Sequence, residues 1–218
     1  MSGNALSISR PISYCEIGWI VLPMRSPVAE LLSDLAAGLN GLGLPWYLFG
    51  AQAAMLYGVA RLTADVDVTV RLPDKTANQA LVAGLQPHGF EVRVYDVGFV
   101  ERTRVVPMVH TVTSLPLDVV LAGPGIEDRF FARVLTRSVE GVTVPVASAE
   151  DVVVMKTLAG RPKDIEDVVA IAASQASRLD VDYVREMLHD LEAALSQSDL
   201  VPAFEQALAR SRREGASR

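Results

Sequence analysis

The chain has 218 residues, which is long enough for one well-buried domain or for a catalytic core with a helical extension. Half of the residues are hydrophobic and 21% are charged, so the composition predicts a folded, soluble unit of enzyme size. The formal net charge of −6 argues against a broadly basic nucleic-acid-binding surface, although a local basic patch around a groove stays compatible with it.

The N-terminal segment contains the single cysteine and a short apolar run. Cys15 has no second cysteine to pair with, so an intramolecular disulfide is excluded and a reducing cytoplasm is the simplest compartment. The run from Ile17 to Pro23 is too short to span a bilayer, which takes about 20 residues, and it makes a poor signal peptide. We therefore expect a cytoplasmic protein without a membrane partner, in which residues 1–25 are an extension and residues 1–23 contribute little to the fold.

A turn containing Gly50 and Ala51 follows the first predicted helix and strand. The helix begins after the N-cap Ser26, and the strand covers Pro45 to Phe49. A second helix, Gln52 to Val59, comes directly after the turn. At such a strand-to-helix turn, backbone N–H groups and the positive end of a helix can meet a phosphate. The turn is therefore a candidate phosphate-binding element.

Two aspartates follow in the segment Asp65 to Val70, DVDVTV. Its β-branched residues predict a strand, in which side chains two residues apart project from the same face, about 6–7 Å apart along it. Asp65 and Asp67 would then form a carboxylate pair that needs a counter-charge if both are to stay ionised. Because hard divalent cations bind oxygen ligands, the pair predicts a metal clamp.

A third carboxylate lies in a later apolar strand. Before it, the pattern predicts a helix and then two strands, Phe90 to Tyr95 and Arg102 to His110, separated by a turn near Gly98. The strand Leu115 to Leu121, LPLDVVL, carries Asp118 as its single charge. Its aliphatic neighbours predict burial, and a buried carboxylate is costly unless it is paired or bound to a metal. Asp118 therefore needs a partner.

Two motifs stand out in the chain. The first combines the turn with a basic residue, a threonine and the two aspartates at alternate positions: Gly50, Ala51, Arg61, Thr63, Asp65 and Asp67. The second lies in a later helical segment: Lys156, Ala159, Gly160, Arg161, Pro162, Lys163, Asp164 and Asp167. Both resemble motifs of the nucleotidyltransferase (polymerase-β-like) superfamily, and most closely those of AbiEii-type toxin nucleotidyltransferases. The resemblance covers about residues 47–167.

The resemblance implies an α/β (α+β) fold, a nucleotidyltransferase-like mixed β-sheet flanked by helices, and transfer of a nucleotide from an NTP to an acceptor with Mg²⁺. Asp65, Asp67 and Asp118 would hold the metal, and Asp118 would also activate the acceptor hydroxyl. The residues expected to bind the nucleotide are Gly50, Ala51, Arg61, Thr63, Lys156, Asp164 and Asp167. Of these, Lys156 is also expected to be catalytic.

The chain departs from the family pattern at Ala51. Members often carry Gly-Gly or Gly-Ser at this turn, so Ala51 removes a side-chain contact to phosphate while its backbone donor remains. This departure bears on rate or NTP affinity more than on the fold.

The segment from residue 148 onward predicts a C-terminal helical region. We therefore divide the chain into an N-terminal extension (1–25), a nucleotidyltransferase core (26–147) and a helical region (148–218). Two interpretations of Asp164 and Asp167, which lie one helical turn apart, stay open. They either act at the nucleotide site, or they cap the helix and pair with Arg161, Lys163 or Lys156, orienting that lysine.

The acceptor is also open. The toxin-type resemblance favours tRNA or another RNA and implies a cognate antitoxin, whereas the acidic net charge favours a small molecule, such as an antibiotic, or a protein. A non-catalytic, antitoxin-like partner with the same fold is a third possibility.

Overall fold

The computed structural model describes residues 25–63, 65–74, 77–94 and 97–216, so the predicted extension and Cys15 lie almost entirely outside the described residues. The strands are β1 (Trp46–Phe49), β2 (Val66–Val70), β3 (Phe90–Val92), β4 (Val105–His110), β5 (Leu115–Leu121), β6 (Leu135–Val139) and β7 (Val142–Val146). The α-helices are α1 (Pro27–Gly41), α2 (Gly50–Leu56), α3 (Asn78–Leu85), α4 (Val97–Thr103), α5 (Ile126–Ala132), α6 (Ala149–Ala159), α7 (Pro162–Gln175), α8 (Val181–Leu195) and α9 (Leu200–Ala216).

The seven described strands form one mixed sheet in the order β3-β4-β5-β2-β1-β7-β6. β2 pairs with β5, and β1 with β7, in parallel, while the other neighbours are antiparallel. The central strands are aliphatic, and Leu48, Val68 and Val119 are fully buried beneath the helices. The expected fold, a nucleotidyltransferase-like mixed sheet flanked by helices, is confirmed.

One row of register partners crosses the centre of the sheet. Asp67 of β2 lies opposite Phe49 of β1 on one side and opposite Asp118 of β5 on the other. Asp118 in turn lies opposite Pro107 of β4. Because register partners project from the same face of a sheet, the two aspartates point to the same side.

Several predicted elements are confirmed at or near their predicted ends. Ser26 caps α1, where its hydroxyl accepts the Ala29 N–H at 3.1 Å. β5 has the predicted limits. The β6–β7 hairpin turns at Glu140 and Gly141, both with positive φ.

The region around Gly98 differs from the prediction. Helix α4 occupies Val97–Thr103, where a turn and the beginning of a strand were expected, and β3 ends at Val92. Val100 packs against the hydrophobic core, so burial of this face outweighs the poor helix propensity of glycine and valine.

The C-terminal helices α6 to α9 pack against each other. α6 begins after Ser148, whose hydroxyl accepts the Asp151 N–H, and it packs against α2. The division of the chain at residue 148 stays a prediction. Within the described residues, no helix has both the length and the apolar character that a membrane crossing requires.

Candidate active site

Asp67 packs directly on the turn between β1 and α2. Gly50 has φ +65°, a conformation that L side chains rarely adopt. A Cβ at this position would lie 2.0 Å from Asp67 Oδ2, so any side chain would collide with the carboxylate. Glycine is therefore required at position 50 both by the positive φ and by the lack of space for a Cβ, and it lets the backbone of the turn contact the Asp67 carboxylate.

A cavity of about 270 Å³ opens above this contact, between the sheet, α2 and α6. The residues of the sequence-based prediction that line it are Gly50, Ala51, Arg61, Thr63, Asp65, Asp67, Asp118, Lys156 and Asp164. Asp167 lies behind this lining, with Oδ2 2.7 Å from Lys156 Nζ. The two motifs, about 100 residues apart in the chain, thus meet at one cavity.

The three aspartates that line the cavity lie in different parts of the backbone: Asp67 is in β2, Asp118 is in β5, and Asp65 is outside both strands. Asp65 lies one residue before β2 and is exposed, so the prediction that it belongs to the same strand as Asp67 is wrong, although both side chains line the cavity. Strand pairing begins only at Val66, opposite Leu117. The pair of carboxylates that the sheet does align is Asp67 and Asp118.

Asp67 carries the strongest electrostatic perturbation at this site. Burial, and then the negative charges of Asp118 and Asp65, raise the pKa of Asp67 to about 6. Lys156 and Arg161 oppose the rise without cancelling it. A cation bound beside Asp67 would be strongly stabilised, because it would relieve the repulsion between this partly buried carboxylate and the other two.

Asp118 is more exposed than its apolar strand predicts. Leu117 and Val119 are fully buried on one face of β5, whereas the Asp118 side chain projects from the other face and is 44% exposed. Its partner is Arg93, whose Nη2 lies 2.5 Å from Oδ1. The expected need for a partner is met by an arginine.

The donor chemistry of the aspartates suits a hard divalent cation, because all of their ligand atoms are carboxylate oxygens. Among the residues that the structure describes, however, no group of three or more His, Cys, Asp or Glu side chains is arranged to hold a metal ion. Asp67 and Asp118 are the aligned pair of candidate ligands, and Asp65 is the third. Their assignment as metal ligands stays a prediction.

Lys156 lies in a buried network of charges. Its Nζ is 2.9 Å from Asp164 Oδ1 and 2.7 Å from Asp167 Oδ2, and its side chain is only 8% exposed. Arg61 binds Asp167 at 2.8 Å, and Arg161 binds Asp164. The observed contacts thus correspond to the structural interpretation of these two aspartates, in which they orient the lysine.

Two of these ion pairs also determine the charge state of Asp164. Burial alone would raise its pKa, but the hydrogen bonds from Arg161 and Lys156 outweigh burial and hold the pKa of Asp164 below its usual value. The carboxylate therefore stays ionised and keeps the Lys156 ammonium at the cavity wall.

Arg93, which binds Asp118, is one residue beside the cavity that the sequence-based prediction misses. It lies 25 residues before Asp118 and belongs to neither motif. Its N–H donates to the Pro107 carbonyl at 2.8 Å, so it extends the row of partners by one more strand. Only the pairing of three strands reveals the contact, because no local pattern relates the two positions.

The comparisons with known proteins agree with this geometry. A family described as nucleotidyltransferase of unknown function (DUF6036) matches residues 40–210. No curated protein matches the chain.

Solved structures share the fold at low sequence identity. The antibiotic-resistance factor ANT(2'')-Ia in solution is 18% identical, with a TM-score of 0.57 over 79% of this chain and 97% of that one. ANT(2'')-Ia in complex with adenylyl-2''-tobramycin is 16% identical, with a TM-score of 0.56 over 78% and 99%. An antigenic nucleotidyltransferase-like protein from Paracoccidioides brasiliensis is 19% identical, with a TM-score of 0.50 over 84% and 95%.

The superfamily predicted from the two motifs is confirmed, and the AbiEii-type assignment within it stays a prediction. The family match covers most of the chain and contains the cavity with all of its predicted residues. This chain belongs to the DUF6036 family of nucleotidyltransferases.

Proposed function

We propose that the chain transfers a nucleotide from an NTP to an acceptor with the help of Mg²⁺. One observation supports the proposal most: Asp65, Asp67 and Asp118 line the same cavity as the Gly50 turn and Lys156. Carboxylates for a cation, backbone donors for phosphates and an oriented ammonium are the parts that phosphoryl-transfer chemistry requires.

Each side chain has a distinct task in the proposed reaction. The first-turn N–H groups of α2, which lack helical partners, bind phosphate oxygens at Gly50 and Ala51. Lys156 and Arg61 add positive charge beside them, and Asp164 and Asp167 hold that lysine in place. Arg61 and Lys156 thereby orient the triphosphate without a large loss of side-chain entropy at the moment of reaction.

Asp118 is the general base of this proposal. It accepts the proton of the acceptor hydroxyl while the acceptor oxygen forms a bond to the α-phosphorus and the bond to pyrophosphate breaks. When bound by Asp65, Asp67 and Asp118, Mg²⁺ would supply charge that stabilises the attacking and leaving oxygens.

RNA, and tRNA in particular, is the acceptor that we propose first, in a toxin-type role with a cognate antitoxin. Despite the net charge of −6, basic side chains line the open edge of the cavity: Arg161 is 60% exposed, and Lys163 is exposed. Such a local patch favours a polyanion.

A small-molecule acceptor is the second candidate. The ANT(2'')-Ia structure that shares this fold contains an adenylylated tobramycin, and the acidic net charge of this chain suits a cationic acceptor.

The test is a transfer assay with four α-labelled NTPs and Mg²⁺ against total RNA, a protein pool and an aminoglycoside panel. The proposal expects label on an acceptor with the wild-type chain and none with Asp67→Asn. Asp190→Asn removes the same charge from an exposed ion pair outside the cavity and should keep the activity.

The labelled pool then decides between acceptors. Label on RNA supports the first candidate, and label on an aminoglycoside supports the second. No transfer together with no binding of NTP and Mg²⁺ at millimolar concentration would contradict the proposal and favour a non-catalytic partner.

A further inference from the structure

Arg93 lies on the same face of the sheet as the two aligned aspartates. Val92 of β3 is the register partner of Met108, and the Arg93 N–H donates to the Pro107 carbonyl, so Arg93 lies beside Pro107 in the row. Pro107 lies beside Asp118. With strands about 4.8 Å apart, the Cα atoms of Arg93 and Asp118 are about 10 Å apart, which an extended arginine can bridge.

Pro107 leaves the path between them open. Its side chain is a short ring without polar atoms, so the arginine can pass over it and reach the carboxylate. The resulting contact, 2.5 Å from Nη2 to Oδ1, is a short charge-assisted hydrogen bond.

The guanidinium holds one of the two oxygens that Asp118 could offer to a metal. A carboxylate oxygen that accepts a hydrogen bond from arginine has fewer lone pairs left, so a divalent cation that uses this oxygen competes with the guanidinium. Oδ1 of Asp118 is therefore held by a cation from the chain itself, whereas no arginine of the described residues binds the neighbouring Asp67 in this way.

We propose that Arg93 is a positioning residue that holds Asp118 in the cation-free protein and competes with the divalent cation for this carboxylate. The inference rests on the proposed function. The competition predicts that the protein binds Mg²⁺ only weakly when no NTP is present. A cation that enters with an NTP gains the additional contacts of the triphosphate and displaces the guanidinium from Oδ1.

The test measures Mn²⁺ binding by calorimetry without NTP, in the wild type and in Arg93→Gln. Removal of the competing hydrogen bond should tighten Mn²⁺ binding about tenfold, which corresponds to about 1.4 kcal/mol. Arg71→Gln is the matched control. Arg71 has the same side-chain exposure, 39%, and binds Asp128 at 2.6 Å, outside the cavity, so its loss should change the affinity less than about twofold.

Arg93→Lys separates the contact from the charge. The lysine keeps the positive charge but is shorter and lacks the planar fork of donors, so its affinity for Mn²⁺ should lie between those of the wild type and Arg93→Gln. An affinity equal to that of the wild type would show that only the long-range charge matters, and would overturn the proposal. This variant also serves if Arg93→Gln does not fold.

The outcomes distinguish this inference from the proposed function. Unchanged or weaker Mn²⁺ binding in Arg93→Gln, with wild-type binding of Mn²⁺ and NTP intact, overturns the competition alone. If neither protein binds Mn²⁺ with or without NTP, both proposals fail. Binding by Arg93→Gln where the free wild type shows none supports the competition most directly.

Discussion

Replacing Asp67 by asparagine should make the protein more stable at neutral pH while it abolishes nucleotide transfer. The physical reason is the raised pKa of Asp67, about 6, which burial, Asp118 and Asp65 together produce. In the folded protein the ionised carboxylate is disfavoured, whereas in the unfolded chain it is solvated. Ionisation of Asp67 therefore lowers the free energy of unfolding.

The magnitude follows from the shift in pKa. The rise from 3.8 to about 6 is about 2 pH units, and at about 1.4 kcal/mol per unit this amounts to about 3 kcal/mol as an upper limit. For a chain of this length, about 3 kcal/mol corresponds to a rise in Tm of roughly 6–12 °C.

The sign can be checked by varying the pH. Between about pH 4 and pH 6 the folded wild type binds a proton that the unfolded chain has released, so its stability from this group falls as the pH rises. Asp67→Asn lacks this group. The two proteins should therefore have similar stability near pH 4, and the full difference should develop by pH 7.

Chemical denaturation at several pH values, combined with the transfer assay, measures both effects. Asp190→Asn is the control, because its side chain is 60% exposed and its loss should change stability by less than about 1 kcal/mol. Equal or lower stability of Asp67→Asn at pH 8, or an unchanged pH dependence, would refute the electrostatic reasoning. Retained turnover would refute the catalytic role.

Two further substitutions test the packing around the cavity. Gly50→Ala should destabilise the protein by about 2–4 kcal/mol in thermal melts, because of its positive φ and the collision with Asp67. Gly41→Ala, where an added Cβ meets nothing within 4 Å, should be neutral or slightly stabilising, and equal effects of the two changes would contradict this account. Lys156→Ala should cost about 3–5 kcal/mol in chemical denaturation, since Asp164 stays buried with one partner fewer, and a cost below about 1 kcal/mol would count against the buried network.

Local sequence patterns predict much of this molecule. The aliphatic segment identifies β5, and the capping residue Ser26 identifies the beginning of α1. The two motifs also identify most of the cavity lining, because motif spacing records which residues must converge even when the chain between them is long.

Other features depend on tertiary contacts that local patterns do not record. Helix α4 forms where the partly buried Val100 packs against the core, against the propensity of the helix's own residues. Asp65 lies outside β2 because pairing with β5 begins at Val66. Arg93 meets Asp118 only because three strands align in one register, and no spacing rule predicts that alignment.

The ion pairs around Lys156 have an evolutionary consequence. Asp167 binds both Lys156 and Arg61, and Asp164 binds both Lys156 and Arg161, so loss of any one side chain leaves an unbalanced charge in a place that water hardly reaches. Single replacements are penalised, whereas coordinated replacements by apolar residues cost much less. Across related chains these positions should therefore covary, and a homologue that has lost the lysine should have lost its acidic neighbours as well.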